Sequence, residues 1–188
     1  MVQPTAEQSS AKKLPPLGKK SLIPDFTAHL IFWPLAIGGF ALDLWSKWAV
    51  FKWLKSGEPY NVIDGFVQLS IAQNPGAAWG IFSGRSTLLV MVSSIALIAI
   101  IMVFLFSGRQ PRFIHFALGF FAAGVSGNLY DRYFHHGLVR DFIDVHYRSL
   151  HWPTFNVADS LLVIGVGLLI ISTIFIEKPA QKHDQQQK

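Results

Sequence analysis

Residues 124–160 read GVSGNLYDRYFHHGLVRDFIDVHYRSLHWPTFNVADS. This stretch packs Asn128, Asp131, Arg132, Asp141, Asp144, Asn156 and Asp159 between two strongly apolar segments. Ionisable groups beside lipid are costly and are functional candidates by default. Upstream, Gly124, Asn128 and Arg132 fall at i, i+4 and i+8, a small-then-polar stripe suited to close helix packing with an inward polar cluster. Downstream, Asn156 stands where a helix N-cap belongs, with Asp159 three residues on. Between them, the run Asp141-Phe-Ile-Asp-Val-His-Tyr147 alternates like a short strand. Strand alternation puts residues three apart on opposite faces, so only one of Asp141 and Asp144 can face a common site.

The composition agrees with lipid on both flanks. Of 188 residues, 51% are hydrophobic and 14% charged, where soluble domains carry about 25% charged residues. Mean hydropathy is +0.37. The absence of cysteine removes disulfides, thiol nucleophiles and thiolate metal sites. The net charge of +5 suits anionic lipid and topology, and no basic stripe with interleaved aromatics points to nucleic acid.

Hydropathy and punctuation divide the chain into four spans, about 28–49, 86–106, 113–130 and 156–176, the second crossing with only Ser93 and Ser94 as polar interruptions. The first is too long and too polar at its end for a cleaved signal peptide. There Asp43 and Lys47 share a helix face at i and i+4, either as structural support or in contact with substrate, and Trp45, Trp48 and Trp53 mark an interface belt. Residues 1–26 and 178–188 read as polar tails around a membrane domain at 27–177, the first expected to be disordered. Between the first two spans, Val67, Leu69 and Ile71 alternate with polar or small residues, bounded by Gly65 and the Asn74-Pro-Gly76 turn. This predicts a small outer sheet, with Asn74 either a turn residue or a substrate-contacting amide. The fold expected is therefore mainly α and integral to the membrane, a bundle of four transmembrane helices with a small β-sheet at one surface.

Four spans return both termini to one side. That side carries Lys12, Lys13, Lys19, Lys20, Arg109, Arg112, Lys178, Lys182 and Lys188 of the sixteen basic residues, which favours cytoplasmic termini. Asp43, Asn74, Asp131, Asp141, Asn156 and Asp159 then share the outer end.

The chemistry narrows by elimination. No His-Glu-x-x-His occurs, so a zincin site is unsupported. Gly124-Val-Ser-Gly127 resembles the Gly-x-Ser-Gly of rhomboid serine proteases, but the fourth span offers no histidine as base, and Ser126 reads better as a packing residue. Carboxylates remain: two held close together share one proton near neutral pH, one serving as base toward water and the other as acid. Asp131, beside Arg132, reads as an ion pair closing the third helix. Asp159 alone could be a dipole-stabilised N-terminal acid. A small transporter or assembly protein with structural intramembrane carboxylates is the alternative, although no inverted repeat is visible.

The motifs Asp43-Leu-Trp-Ser-Lys47, Asn74-Pro-Gly-Ala-Ala-Trp-Gly80, Gly127-Asn-Leu-Tyr-Asp-Arg132, Val139-Arg-Asp141-Phe-Ile and Phe155-Asn-Val-Ala-Asp-Ser160 resemble, in order and spacing, those of lipoprotein signal peptidase, signal peptidase II. The resemblance implies an aspartyl endopeptidase of the bacterial inner membrane. Such an enzyme removes the signal peptide of a prolipoprotein by cutting before a diacylglyceryl cysteine, with membrane lipid around it and no cofactor or metal. It implies Asp141 and Asp159 as the catalytic pair, with Asn128, Arg132 and Asn156 lining the site. Asn74 and Gly76 would lie in a periplasmic sheet cradling substrate, and Asp43 and Lys47 would complete the polar cluster. The preference for Asp141 over Asp131 and Asp144 rests largely on this resemblance. Departures from the family's pattern are Trp79 in place of Phe, Tyr130 in place of an aliphatic residue, and a longer run at Tyr133–His136.

Overall fold

A computed structural model of the chain describes residues 22–54, 58–77, 80–108 and 110–176. Residues 22–26 of the first expected tail are described, and Phe26 opens the first helix, whereas residues 1–21 and all of the second tail, together with Lys55, Trp79 and Arg109, lie outside the described residues. Among these residues are four helices and four strands: α1 (Phe26–Trp53), β1 (Tyr60–Ile63), β2 (Val67–Asn74), α2 (Ser86–Leu105), α3 (Arg112–Phe134), β3 (Val139–Tyr147), β4 (Leu150–His151) and α4 (Val157–Ile176). All four helices are long and apolar enough to cross a membrane. Their large apolar side chains point outward over much of the bundle, as Ile37, Ile95, Ile98 and Val163 do. A bundle solvated by lipid leaves its apolar surface outside and reserves the interior for close packing and polar groups.

α1 starts where Asp25 accepts a hydrogen bond from the Ala28 amide at 2.8 Å, an N-cap. The expected first span stops at residue 49, yet α1 continues through Trp53. Likewise α3 runs on to Phe134, beyond the expected 130. Hydropathy registers the part of a helix that lipid solvates. α3 continues past that part because Asp131 and Arg132 find partners there.

α3 is the central helix, and small residues let its neighbours approach. A Cβ on Gly124 would lie 2.6 Å from the Ala158 carbonyl oxygen in α4, and one on Gly119 would lie 2.9 Å from Leu35 in α1. Such close approach is the packing mode available where no hydrophobic effect drives helices together. At one end of the bundle Phe32 of α1 stacks on Phe104 of α2 with ring centroids 3.9 Å apart, over a cluster that includes Ala28, Leu118 and Ala122. The opposite end holds the polar residues. The C-terminal turns of α1 and α3 and the first turn of α4 converge there, and Ser86 at the start of α2 lies against Gly137.

The sheet closes that same end. It is antiparallel, in the order β1-β2-β3-β4. β2 pairs with β3 in a register that opposes Leu69 to Ile143 and Ala72 to Asp141, with an irregularity between them. The strand expected from Val67 onward is thus present, as is the alternating run from Asp141. Ile143 also bridges Phe155, which ties the entry to α4 against β3.

Candidate active site

Asp43, Lys47, Asn74, Gly76, Asn128, Asp131, Arg132, Asp141, Asn156 and Asp159 belong to one network of hydrogen bonds and ion pairs at the sheet end of the bundle. It is easiest to build from α4. The N-terminus of a helix leaves backbone N–H groups without intrahelical partners. Here the Asn156 side chain accepts from the Asp159 amide at 2.9 Å, and the Asp159 side chain accepts from the Asn156 amide at 3.2 Å. This reciprocal arrangement is a capping box, with asparagine and aspartate in the two roles. A third N–H, that of Ala158, donates to Asp43 Oδ1 of α1 at 2.8 Å.

Asp43 therefore caps a helix other than its own, and its second oxygen accepts from Lys47 Nζ at 2.7 Å. Lys47 also reaches Asp131 Oδ2 at 3.2 Å and donates to Asn128 Oδ1 at 3.2 Å. Asp43 and Lys47 are both fully buried, with their charged groups engaged by each other and by α3 and α4, which favours the structural-support alternative. Gly127 makes room for this: a Cβ there would run into the Asp43 carboxylate.

Asn128 and Asn156 join the two carboxylates. Asn128 Nδ2 donates to Asp159 Oδ1 at 2.8 Å, and Asn156 Nδ2 donates to Asp141 Oδ1 at 2.6 Å. Asn156 also donates to Asn128 Oδ1 at 3.1 Å, linking the amides to each other. The other Asp141 oxygen accepts from Asn74 Nδ2 at 3.1 Å. Asn74 fills the turn role considered for it. Its oxygen holds the turn by accepting from the Gly76 amide at 2.9 Å, and its nitrogen contacts Asp141 rather than solvent. The Gly76 carbonyl accepts from Arg132 Nη2 at 2.8 Å, and Arg132 Nη1 returns to the Asn128 carbonyl at 3.3 Å. The circuit Asn128, Asn156, Asp141, Asn74, Gly76, Arg132 is thus closed. Gly76 is required sterically, since a Cβ would lie 2.8 Å from the Ile81 carbonyl oxygen.

The two carboxylates differ in environment. Asp141 is 1% exposed, whereas Asp159 is half-buried. Burial, and then the negative charge of Asp159, push the Asp141 carboxyl up to about 7, against the opposing pull of its bonds from Asn74 and Asn156 and of the Lys47 charge. The arrangement can keep one proton on the pair near neutral pH while the other member stays ionised.

The remaining aspartates separate cleanly. Asp144 accepts from Gln68 Nε2 at 2.6 Å and lies 3.0 Å from His151 Nδ1, away from this network, as strand alternation requires. Asp131 is structural, but its partner is not the adjacent Arg132. It receives the Arg140 amide at 2.9 Å and the Arg140 guanidinium at 2.7 and 3.2 Å, clamping β3 onto α3. Consecutive helix residues do not face each other. That rule was enough to reject Arg132 as the partner, although finding Arg140 needed the tertiary fold. Ser126 lines an apolar groove with Phe32, Leu97 and Tyr130, consistent with a packing residue.

Comparison with known proteins agrees with this geometry. The sequence model described as signal peptidase (SPase) II matches residues 35–175. The lipoprotein signal peptidase of Clostridium novyi (strain NT) is 39% identical over 138 residues, 73% of this chain and 93% of that protein. That of Halalkalibacterium halodurans is 35% identical over 153 residues, 81% of this chain and 97% of the relative. A solved bacterial membrane enzyme superposes with a TM-score of 0.74 at 32% identity, covering 88% of this chain and 99% of the other. With a family match across most of its length and relatives aligned nearly end to end, this membrane protein belongs to the signal peptidase II family of aspartic peptidases.

Proposed function

We propose that the chain is a membrane endopeptidase that removes the signal peptide from diacylglyceryl-modified prolipoproteins by cleaving before the lipidated cysteine, with Asp141 and Asp159 as its catalytic pair. The observation that carries the assignment is the junction of these two carboxylates through Asn128 and Asn156, with Asp141 held protonatable near neutral pH. In this reading one carboxylate takes a proton from water as its oxygen attacks the scissile carbonyl. The other gives its proton to the carbonyl oxygen, forming a gem-diol. Proton transfer to the amide nitrogen then accompanies cleavage of the C–N bond and release of the amine. Asn74 and Asn156 hold Asp141, and Arg132 fixes the Gly76 carbonyl at the edge of the sheet.

The domain is residues 27–177, with both polar tails in the cytoplasm of a bacterial inner membrane and the pair at the periplasmic surface. The substrate's apolar signal helix enters laterally from the bilayer while its acyl chains stay in lipid. Acyl burial contributes about 0.8 kcal/mol per methylene, so the lipid moiety supplies much of the selection.

The test is cleavage of lipidated and unlipidated prolipoprotein by purified protein carrying Asp141→Asn or Asp159→Asn. Both variants insert and neither processes the lipidated substrate. Near-normal cleavage by either one overturns the assignment of the pair. Equal cleavage of both substrates overturns the role of the diacylglyceryl group.

A further inference from the structure

On the opposite face of the strand that supplies Asp141, the β3–β4 hairpin gathers Asp144, His146 and His151. Their nearest ligating atoms all lie within 4.8 Å of one another. Two regularities put them there. Asp144 and His146 are two residues apart on β3 and so share a face, and His146 pairs directly with His151 across the hairpin, which places both rings on that face. The rings stack with centroids 5.0 Å apart.

Nothing in the family chemistry above uses these groups. We infer that Asp144, His146 and His151 form a binding site for a divalent transition-metal ion of the zinc type. The donor set is two imidazole nitrogens and one carboxylate oxygen, which suits zinc and its borderline neighbours rather than magnesium or calcium. Tetrahedral zinc with bonds of about 2.0–2.2 Å needs ligands roughly 3.5 Å apart, leaving its fourth position to water. The Asp144–His151 pair, at 3.0 Å, is already near that spacing, and the His151 side chain is exposed.

Three features favour an ion over a simple polar contact. His146 Nδ1 is buried and has no hydrogen-bond partner, the state of a ligand atom awaiting its ion. Asp144 is oriented from behind by Gln68 Nε2 at 2.6 Å, as carboxylate ligands are held by a supporting hydrogen bond. Asp144 Oδ1 and His151 Nδ1 already stand 3.0 Å apart, so two of the three donors are gathered without any rearrangement. Once bound, the ion ties β3 to β4 directly ahead of the segment leading through Phe155 and Asn156 into α4.

The full-length protein in detergent, stripped with chelator, is titrated with Zn²⁺ against a chromophoric competitor, in parallel with His146→Gln and His151→Gln. The parent takes up one saturable equivalent, and each variant binds at least about tenfold more weakly. A parent without a saturable equivalent, or variants that bind as tightly as the parent, overturns the site. X-ray absorption of the parent carrying one equivalent of Zn²⁺ reads the ligands whether or not the variants fold. Two imidazole nitrogens with oxygen are expected, and a spectrum lacking imidazole scattering overturns the inference.

Discussion

Asp141 is buried, beside a second carboxylate, and pushed up to about 7. Two consequences follow in pH. On the proposed assignment of the pair, cleavage declines as pH rises through about 7, because the pair loses the proton that one member must donate, and a pH profile of kcat checks this. Stability moves in the same direction. A carboxyl with a raised folded-state pKa binds its proton more tightly folded than unfolded. Its contribution is therefore full below the ordinary aspartate range near 4 and is lost as pH climbs toward 7. Chemical denaturation in detergent between pH 4 and 8 should show this loss in the parent and lack it in Asp141→Asn. Lys47 presents the reverse problem, a buried cation held by Asp43, Asp131 and Asn128. Lys47→Met leaves Asp43 buried without its cation and costs about 3–5 kcal/mol, measurable as a lowered denaturation midpoint.

The elements owe their positions to residues of unequal legibility. The four helices were readable because lipid demands long apolar runs, and β2 and β3 because alternation survives in Val67–Ile71 and Asp141–Tyr147. The capping box at Asn156 and Asp159 was readable because it is local. The far ends of α1 and α3 were not: polar residues such as Asp131 look like a helix stop until their partners are known. Arg140 as the partner of Asp131 and Asp43 as the cap of α4 join segments distant in the chain, and no local pattern encodes them. Of the four candidate aspartates, alternation could say that Asp141 and Asp144 diverge but not which one turns inward. Gly127 tests how tightly α3 is seated. Gly127→Ala drives a methyl group into the Asp43 carboxylate, and overpacking of this kind costs about 1–3 kcal/mol. Reduced thermal stability together with reduced cleavage is expected, whereas Gly38→Ala, which meets open space, changes neither by more than about the Gly-to-Ala helix propensity gain.

For the molecule as a whole, the bundle has one polar end and one apolar end, and the proposed topology assigns them to opposite sides of the membrane. The absence of native cysteine makes this directly measurable. A membrane-impermeant thiol reagent added outside the inner membrane labels Ser149→Cys, in the β3–β4 turn. It leaves Gln110→Cys, between α2 and α3, unlabelled until the membrane is permeabilised. Labelling in the opposite sense reverses the orientation.

The bond from the Ala158 amide to Asp43 crosses 115 positions of chain, and its consequence is one of timing. The aspartate that completes the first turn of α4 is synthesised well before the helix that requires it. Until that final span enters the bilayer and docks, Asp159 has no fixed place and Asn156 cannot bridge to Asn128. A nascent chain therefore crosses the membrane as an inert set of helices. On the proposed function, proteolytic competence arrives only once α4 has docked against α1 and α3, when the protein is already surrounded by the bilayer from which it draws its substrates.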